Sequence, residues 1–319
     1  MNRRLLRPIT PEEIRTYEED GVVWLRGILD ARWASQLAIA IDELIVSPRG
    51  QAVDFTNLGL AATTIAEERS GFTPTGKWAQ AEHEWGSPRQ LAGSVLIDEK
   101  VQAAPGKRGH FLSMTGTWQR HPIIRELALA SPLPEIAASL MWSQKVYLYD
   151  DQVLVKPPGT REKTAWHQDL GYDNIQGEKV CGIRMPASKE TPEMGLVQYW
   201  RGSHKSGKIF KVNYFISNAT SIGDEGEEIP AIEGHEADFD LVWFAPEPGD
   251  VVVHHLRTLH GAGGNCSTTS TRRGITVRYG GDDVTHKFRK YAPPQDLSEL
   301  RDGAPLDKDP ERHPVAWPR

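Results

Sequence analysis

The chain has 319 residues, 39% hydrophobic and 25% charged, an ordinary composition for a globular protein. Its net charge of -6 argues against a nucleic-acid binder, and no run approaches the ~18 consecutive apolar residues that a membrane span needs. The basic N-terminal residues precede no long apolar segment, so no secretory signal is expected, and the widely spaced Cys181 and Cys266 fit a reducing, cytoplasmic setting with both thiols free.

Thr10-Pro11-Glu12-Glu13 reads as a helix start, with Thr10 as N-cap, Pro11 in the first turn and Glu13 closing a capping box. Gly21 ends that helix, and Val22-Val23-Trp24-Leu25 reads as a strand. Asp30 caps a second helix whose apolar face carries Trp33, Leu37, Ile41 and Leu44. Residues 50–115 are rich in Gly, Thr and Ala and show no clear period. A third helical pattern runs from about 123 to 141.

Beyond residue 145 short β-rich runs alternate with Pro/Gly turns, at 146–156, 164–169, 196–199, 239–244, 250–255 and 274–279. Such density without intervening amphipathic helices indicates an antiparallel sandwich or barrel. The expected organisation is one domain over 1–319, mainly β with flanking helices. A helical part covers about 1–145, a jelly-roll-like β core about 146–285, and a C-terminal extension 286–319. Six acidic residues lie between Gly223 and Glu236, so 218–240 reads as an exposed insertion or lid.

The chemically informative segment is Trp166-His167-Gln168-Asp169. On a strand, His167 and Asp169 project to one side and Gln168 to the other, so an imidazole and a carboxylate could share one metal. A lone His-x-Asp is weak evidence. Further along, Pro248-Gly249-Asp250 turns into Val251-Val252-Val253-His254-His255, and Leu259-His260 is followed by Gly261-Ala262-Gly263-Gly264-Asn265. Glycines there let the chain turn close to a centre. Two neutral imidazoles and one carboxylate, with other positions open, make the arrangement of non-haem Fe(II) oxygenases. His254 and His255, mid-strand beside valines, are the rival ligands. In Arg272-Arg273-Gly274-Ile275-Thr276-Val277-Arg278-Tyr279, a strand puts Arg272, Gly274, Thr276 and Arg278 on one face. An inward arginine needs an anion, and the distal carboxylate of a 2-oxoacid suits its planar fork. Arg273 reads as a surface residue.

In order, these pieces resemble the phytanoyl-CoA dioxygenase family of Fe(II)/2-oxoglutarate oxygenases. The resemblance runs from Ile9-Thr-Pro-Glu-Glu-Ile and Glu19-Asp-Gly-Val-Val23 through Lys156-Pro-Pro-Gly and Trp166-His-Gln-Asp. It continues through Thr191-Pro-Glu-Met-Gly, Arg201-Gly-Ser-His, Pro248-Gly-Asp, His260-Gly-Ala-Gly-Gly-Asn and the Arg272 strand. It implies a double-stranded β-helix, iron held by His167, Asp169 and His260, and 2-oxoglutarate held by Arg272, with Lys156 as a further co-substrate contact. The carboxylate at 169, where halogenating relatives keep a small residue, implies hydroxylation of a small molecule with O2, succinate and CO2 as the other reactants and products. Members act on acyl thioesters, small osmolytes and natural products, so no single substrate follows, and no oligomeric state does.

Three positions depart from the family pattern. Arg184 stands where many members have an aromatic residue, Met194 replaces an asparagine, and Ala262 replaces a serine found in some members near the co-substrate. Arg184 and Arg278 are accordingly candidate contacts for an anionic group of the substrate. The competing readings are a jelly-roll metal enzyme that uses no 2-oxoglutarate and a non-catalytic barrel binding protein.

Overall fold

The computed structural model describes residues 1–46, 52–55, 96–98, 100–101, 109–217, 225–289 and 300–318. Most of the 50–115 stretch and residues 218–224 of the acidic segment lie outside the described residues.

Helix α1 (Pro11–Asp20) begins as the sequence dictates: Thr10 Oγ1 accepts from the Glu13 amide, and Glu13 Oε2 accepts from the Thr10 amide at 2.8 Å. Gly21 ends it in the left-handed region at φ 72°. Strand β1 (Val22–Leu25) follows, and then helix α2 (Arg32–Val46), where the Asp30 carboxylate accepts from the Arg32 amide at 2.9 Å. The third helical pattern is two helices, α3 (Pro122–Ala130) and α4 (Leu133–Leu140). Pro132 causes the break, because proline disfavours helical geometry at the residue before it, and Ser131 is extended at ψ 175°.

The remaining strands are β2 (Ala52–Asp54), β3 (Leu112–Thr115), β4 (Val146–Lys156), β5 (Thr164–His167), β6 (Ile175–Gln176), β7 (Val180–Pro186) and β8 (Val197–Trp200), then β9 (Leu241–Trp243), β10 (Val251–His255), β11 (His260–Ala262), β12 (Arg272–Gly280), β13 (Thr285–His286) and β14 (Val315–Trp317). Among the described residues they form a large antiparallel sheet in the order β1-β10-β7-β12-β4-β3-β2, with β14 added to β4. A smaller antiparallel sheet runs β5-β11-β8-β9. The two sheets make a jelly-roll, the double-stranded β-helix. Strands β1, β2 and β3 show that the helical first half also supplies rungs of the β core.

Period-two alternation decides what each face of the large sheet meets. Ile275, Val277 and Tyr279 on β12, Val153 and Val155 on β4, and Ile183 and Met185 on β7 join one apolar cluster with Trp33, Leu37, Ile41, Leu127 and Ile136 from the helices. Each such side chain, fully buried, contributes about 1.5–3 kcal/mol. The alternate residues, Thr276 and Arg278, Gln152 and Lys156, and Arg184, face a cavity between the sheets. Asp250 fixes the turn into β10, accepting from Trp24 Nε1 at 3.1 Å and the Gly27 amide at 2.8 Å. The described part of the acidic segment, 225–240, is mostly exposed, with Glu227, Glu228 and Glu233 paired to Lys208, Lys211 and Lys163.

Candidate metal centre

His167 closes β5, and His260 opens β11 directly opposite it in the ladder. Asp169 lies outside the strand, at the start of a one-turn 3-10 helix (Asp169–Tyr172). The expected convergence nevertheless holds because Gln168 is extended, at φ -105° and ψ 137°. Its amide turns away to the carbonyls of Lys208 and Arg257, and Asp169 returns to the side of His167.

The donor atoms of His167, Asp169 and His260 lie within 4.8 Å of one another, and all three residues are buried. Asp169 Oδ1 is 3.5 Å from His167 Nε2 and 3.8 Å from His260 Nε2. A first-row ion with bonds of about 2.1 Å sets neighbouring donors roughly 3 Å apart. Small rotations would therefore seat one, and the donor set fits a metal.

The outer contacts fix which atoms point inward. His167 Nδ1 lies 2.7 Å from the Ala165 carbonyl, and His260 Nδ1 lies 2.9 Å from the Thr258 carbonyl. Each Nδ1 can only donate there, so the proton sits on Nδ1 and the Nε2 lone pair is free. Burial, reinforced by His167 nearby, holds the His260 imidazole well below its ordinary pKa and so neutral. Burial opposes ionisation of Asp169, but Arg278, His167, His254 and His260 overcome it and hold the carboxyl well below the usual range.

The rival histidines have other partners. His254 Nε2 is 3.1 Å from Asp169 Oδ2, behind the cluster, and His255 Nε2 is 2.9 Å from the Glu178 carbonyl. Arg278 donates to both oxygens of Asp169 and, at 2.8 Å, to Gln152 Oε1. Arg273 pairs with Asp42 at the surface.

Beside the cluster lies a cavity that, with its open mouth, encloses about 620 Å³. One part of its wall carries the basic side chains Lys156, Arg184 and Arg272. Lys156 and Arg272 are direct cross-strand neighbours, both buried, an arrangement that is unfavourable for like charges without an anion. Lys156 Nζ donates to Gly263 O at 2.9 Å and to Thr164 Oγ1 at 3.2 Å, both neutral. Burial and then Arg272 push its pKa well down. Arg272 Nη1 donates to Gly195 O at 2.8 Å, and burial lowers its pKa to about 10, so it stays cationic at neutral pH. Gly195 packs backbone to backbone on Gly263 and Gly264, and a Cβ there would stand 2.2 Å from Gly264 O. Arg184 pairs with buried Glu190.

Phe111, Phe215, Gln152, Tyr199 and Thr276 also line the cavity. Thr276 and Tyr199 follow from strand alternation. Phe111 and Phe215 come from irregular segments, and Glu190 from a loop, with no periodic signal to place them.

The model of the family described as phytanoyl-CoA dioxygenase matches residues 17–274. The chain belongs to the phytanoyl-CoA dioxygenase family. Among curated proteins, a probable alpha-ketoglutarate-dependent hypophosphite dioxygenase of Stutzerimonas stutzeri is 26% identical over 145 residues, 44% of this chain and 47% of that protein. This match thus spans about half the relative's length. Among solved structures, the carbocyclase SnoK of nogalamycin biosynthesis is similar at a TM-score of 0.61 and 22% identity, covering 97% of this chain and 96% of its own. The epimerase SnoN with Fe3+, alpha ketoglutarate and nogalamycin RO gives 0.64 and 19%, covering 96% and 97%. EctD from S. alaskensis with 2-oxoglutarate and 5-hydroxyectoine gives 0.58 and 16%, covering 94% and 86%. At these identities the likeness carries the fold that this family member shares with them.

Proposed function

We propose that this family member is an Fe(II)- and 2-oxoglutarate-dependent dioxygenase that hydroxylates a small organic molecule, releasing succinate and CO2. The observation that supports it is the convergence of two Nε2 atoms and one carboxylate oxygen, beside a buried wall bearing Lys156 and Arg272. Iron, when bound, supplies the activation of O2.

His167, Asp169 and His260 would hold the iron, with His254 bonded to Oδ2 of Asp169 and Arg278 to both of its oxygens. Arg272 grips the distal carboxylate of 2-oxoglutarate through its Nη2, which has no hydrogen bond among the described residues, and Lys156 adds a second donor. Phe215 packs against His167 at 5.0 Å between ring centroids, and Phe111 lies 4.2 Å beneath Lys156 Nζ. Their rings exclude water and strengthen every charge contact inside. Arg184 lines the same cavity and is the candidate for an anionic substrate group, while Arg278, which also lines it, gives its Nε and Nη2 to Asp169 and Gln152. The relatives' named reactions, on hypophosphite or in carbocyclisation and epimerisation, leave the substrate open. The carboxylate at 169 supports hydroxylation over halogenation.

The test is succinate release from 2-oxoglutarate by Fe(II)-loaded protein, with Asp169→Ala as control. Wild-type turnover that the variant lacks is expected. Iron binding with no turnover in any substrate panel would return the chain to jelly-roll metal enzymes that use no oxoacid. No iron binding would leave a non-catalytic barrel.

A further inference from the structure

Arg184 of the cavity wall and Glu190, buried behind it, form a charged pair that neither iron nor 2-oxoglutarate accounts for. Glu190 is 1% exposed, and its Oε1 takes the Nη2 of Arg184 as partner while standing 3.7 Å from the Nε of Arg272. Its Oε2 and the Nε of Arg272 are both buried with no hydrogen bond among the described residues. The loop that carries Glu190 also carries Gly195, whose carbonyl takes Arg272 Nη1. Glu190 is itself anchored, its amide donating to the Pro246 carbonyl at 3.1 Å. One loop thus faces the Arg272 guanidinium at Nε and at Nη1, and leaves Nη2 without a hydrogen bond among the described residues.

We infer that Glu190, held in place by Arg184, is a positioning residue that aims the Arg272 fork at the distal carboxylate of 2-oxoglutarate. The inference rests on the proposed co-substrate. A guanidinium has five donors in one rigid plane, so fixing two edges fixes the direction of the third. Arg184, Glu190 and Arg272 together carry one net positive charge, which leaves the fork cationic toward an incoming carboxylate. The 3.7 Å gap and the two unpaired atoms leave room for Arg272 to close onto Glu190 when its other side is loaded.

A purely electrostatic role makes the opposite prediction. Removing the negative charge of Glu190 would then make the pocket more cationic and tighten a dianion. The experiment compares wild type with Glu190→Gln, and with the double variant Arg184→Leu/Glu190→Leu, which removes both members of the Arg184–Glu190 pair so that neither is left buried without the other. Fe(II) affinity is read anaerobically by itself. 2-Oxoglutarate affinity is read from the visible band that forms with Fe(II), and KM and kcat from succinate release. Both variants are expected to bind Fe(II) as wild type does and to weaken 2-oxoglutarate about tenfold or more, and Glu190→Gln, which leaves Arg184 in place, to keep kcat at saturation within about twofold. Unchanged or tighter 2-oxoglutarate binding in Glu190→Gln overturns the positioning role alone. A wild-type protein that binds Fe(II) but forms no oxoglutarate-dependent band overturns the parent assignment as well.

Discussion

Arg278 meets both oxygens of Asp169, with Nη2 3.2 Å from Oδ1 and Nε 3.2 Å from Oδ2. The pair is buried, and burial alone would neutralise a carboxyl, so Arg278 keeps Asp169 in the form that binds a cation. Arg278→Met should lower Fe(II) affinity about 10- to 100-fold, and Arg278→Lys should fall between, because an ammonium cannot reproduce the fork. Anaerobic Fe(II) or Co(II) titration measures this. Equal affinity in all three proteins would show that Arg278 does not orient the ligand.

Asp169→Ala removes the carboxylate and strands that guanidinium without its main partner. Besides losing metal, the metal-free variant should unfold more easily by up to about 3–5 kcal/mol, since only Asp173, 3.8 Å from Nε, and Asp150 are left to offset the buried charge. Asp169→Asn should lose metal with a smaller stability penalty. Denaturant unfolding of chelator-treated protein separates the two effects.

Gly195 combines φ +71° with backbone contact to Gly264. Gly195→Ala must displace the Gly263–Gly264 loop or leave the left-handed region, so a loss of about 1–3 kcal/mol is expected. Moving Gly195 O also frees Arg272 Nη1, so the KM for 2-oxoglutarate should rise together with the fall in Tm. A variant as stable as wild type would show that the loops part at little cost.

His255 and His313 are buried, and burial lowers the pKa of each to about 4. The unfolded chain titrates near 6.5, so between these values it binds more protons than the native state. Stability from this source is complete above about pH 6.5 and is lost as pH falls toward 4, by up to about 3 kcal/mol per histidine. Tm measured across that window should fall steeply, and His313→Asn should make the slope shallower.

The capping box at Thr10, the apolar face of α2 and the alternation along β4 and β12 were legible because each depends on neighbours a few residues apart. The helix over 123–141 came out as two because Pro132 acts through local sterics that the apolar period conceals. His167 and Asp169 were expected to converge on one strand. They converge because Gln168 is extended ahead of a 3-10 turn, which preserves alternation after the ladder has ended.

By itself the sequence determined the residue types a metal needs, their spacing along the chain, and the face of β12 on which Arg272 and Arg278 stand. Only the tertiary structure decided that His260 stands opposite His167 across a ladder, that Arg278 holds the carboxylate, and that Glu190 joins Arg184 to Arg272. The physical reason is one of range. Periodicity reports which side of an element a residue occupies, whereas partner choice among buried charges depends on strand register and loop packing between residues far apart in the chain.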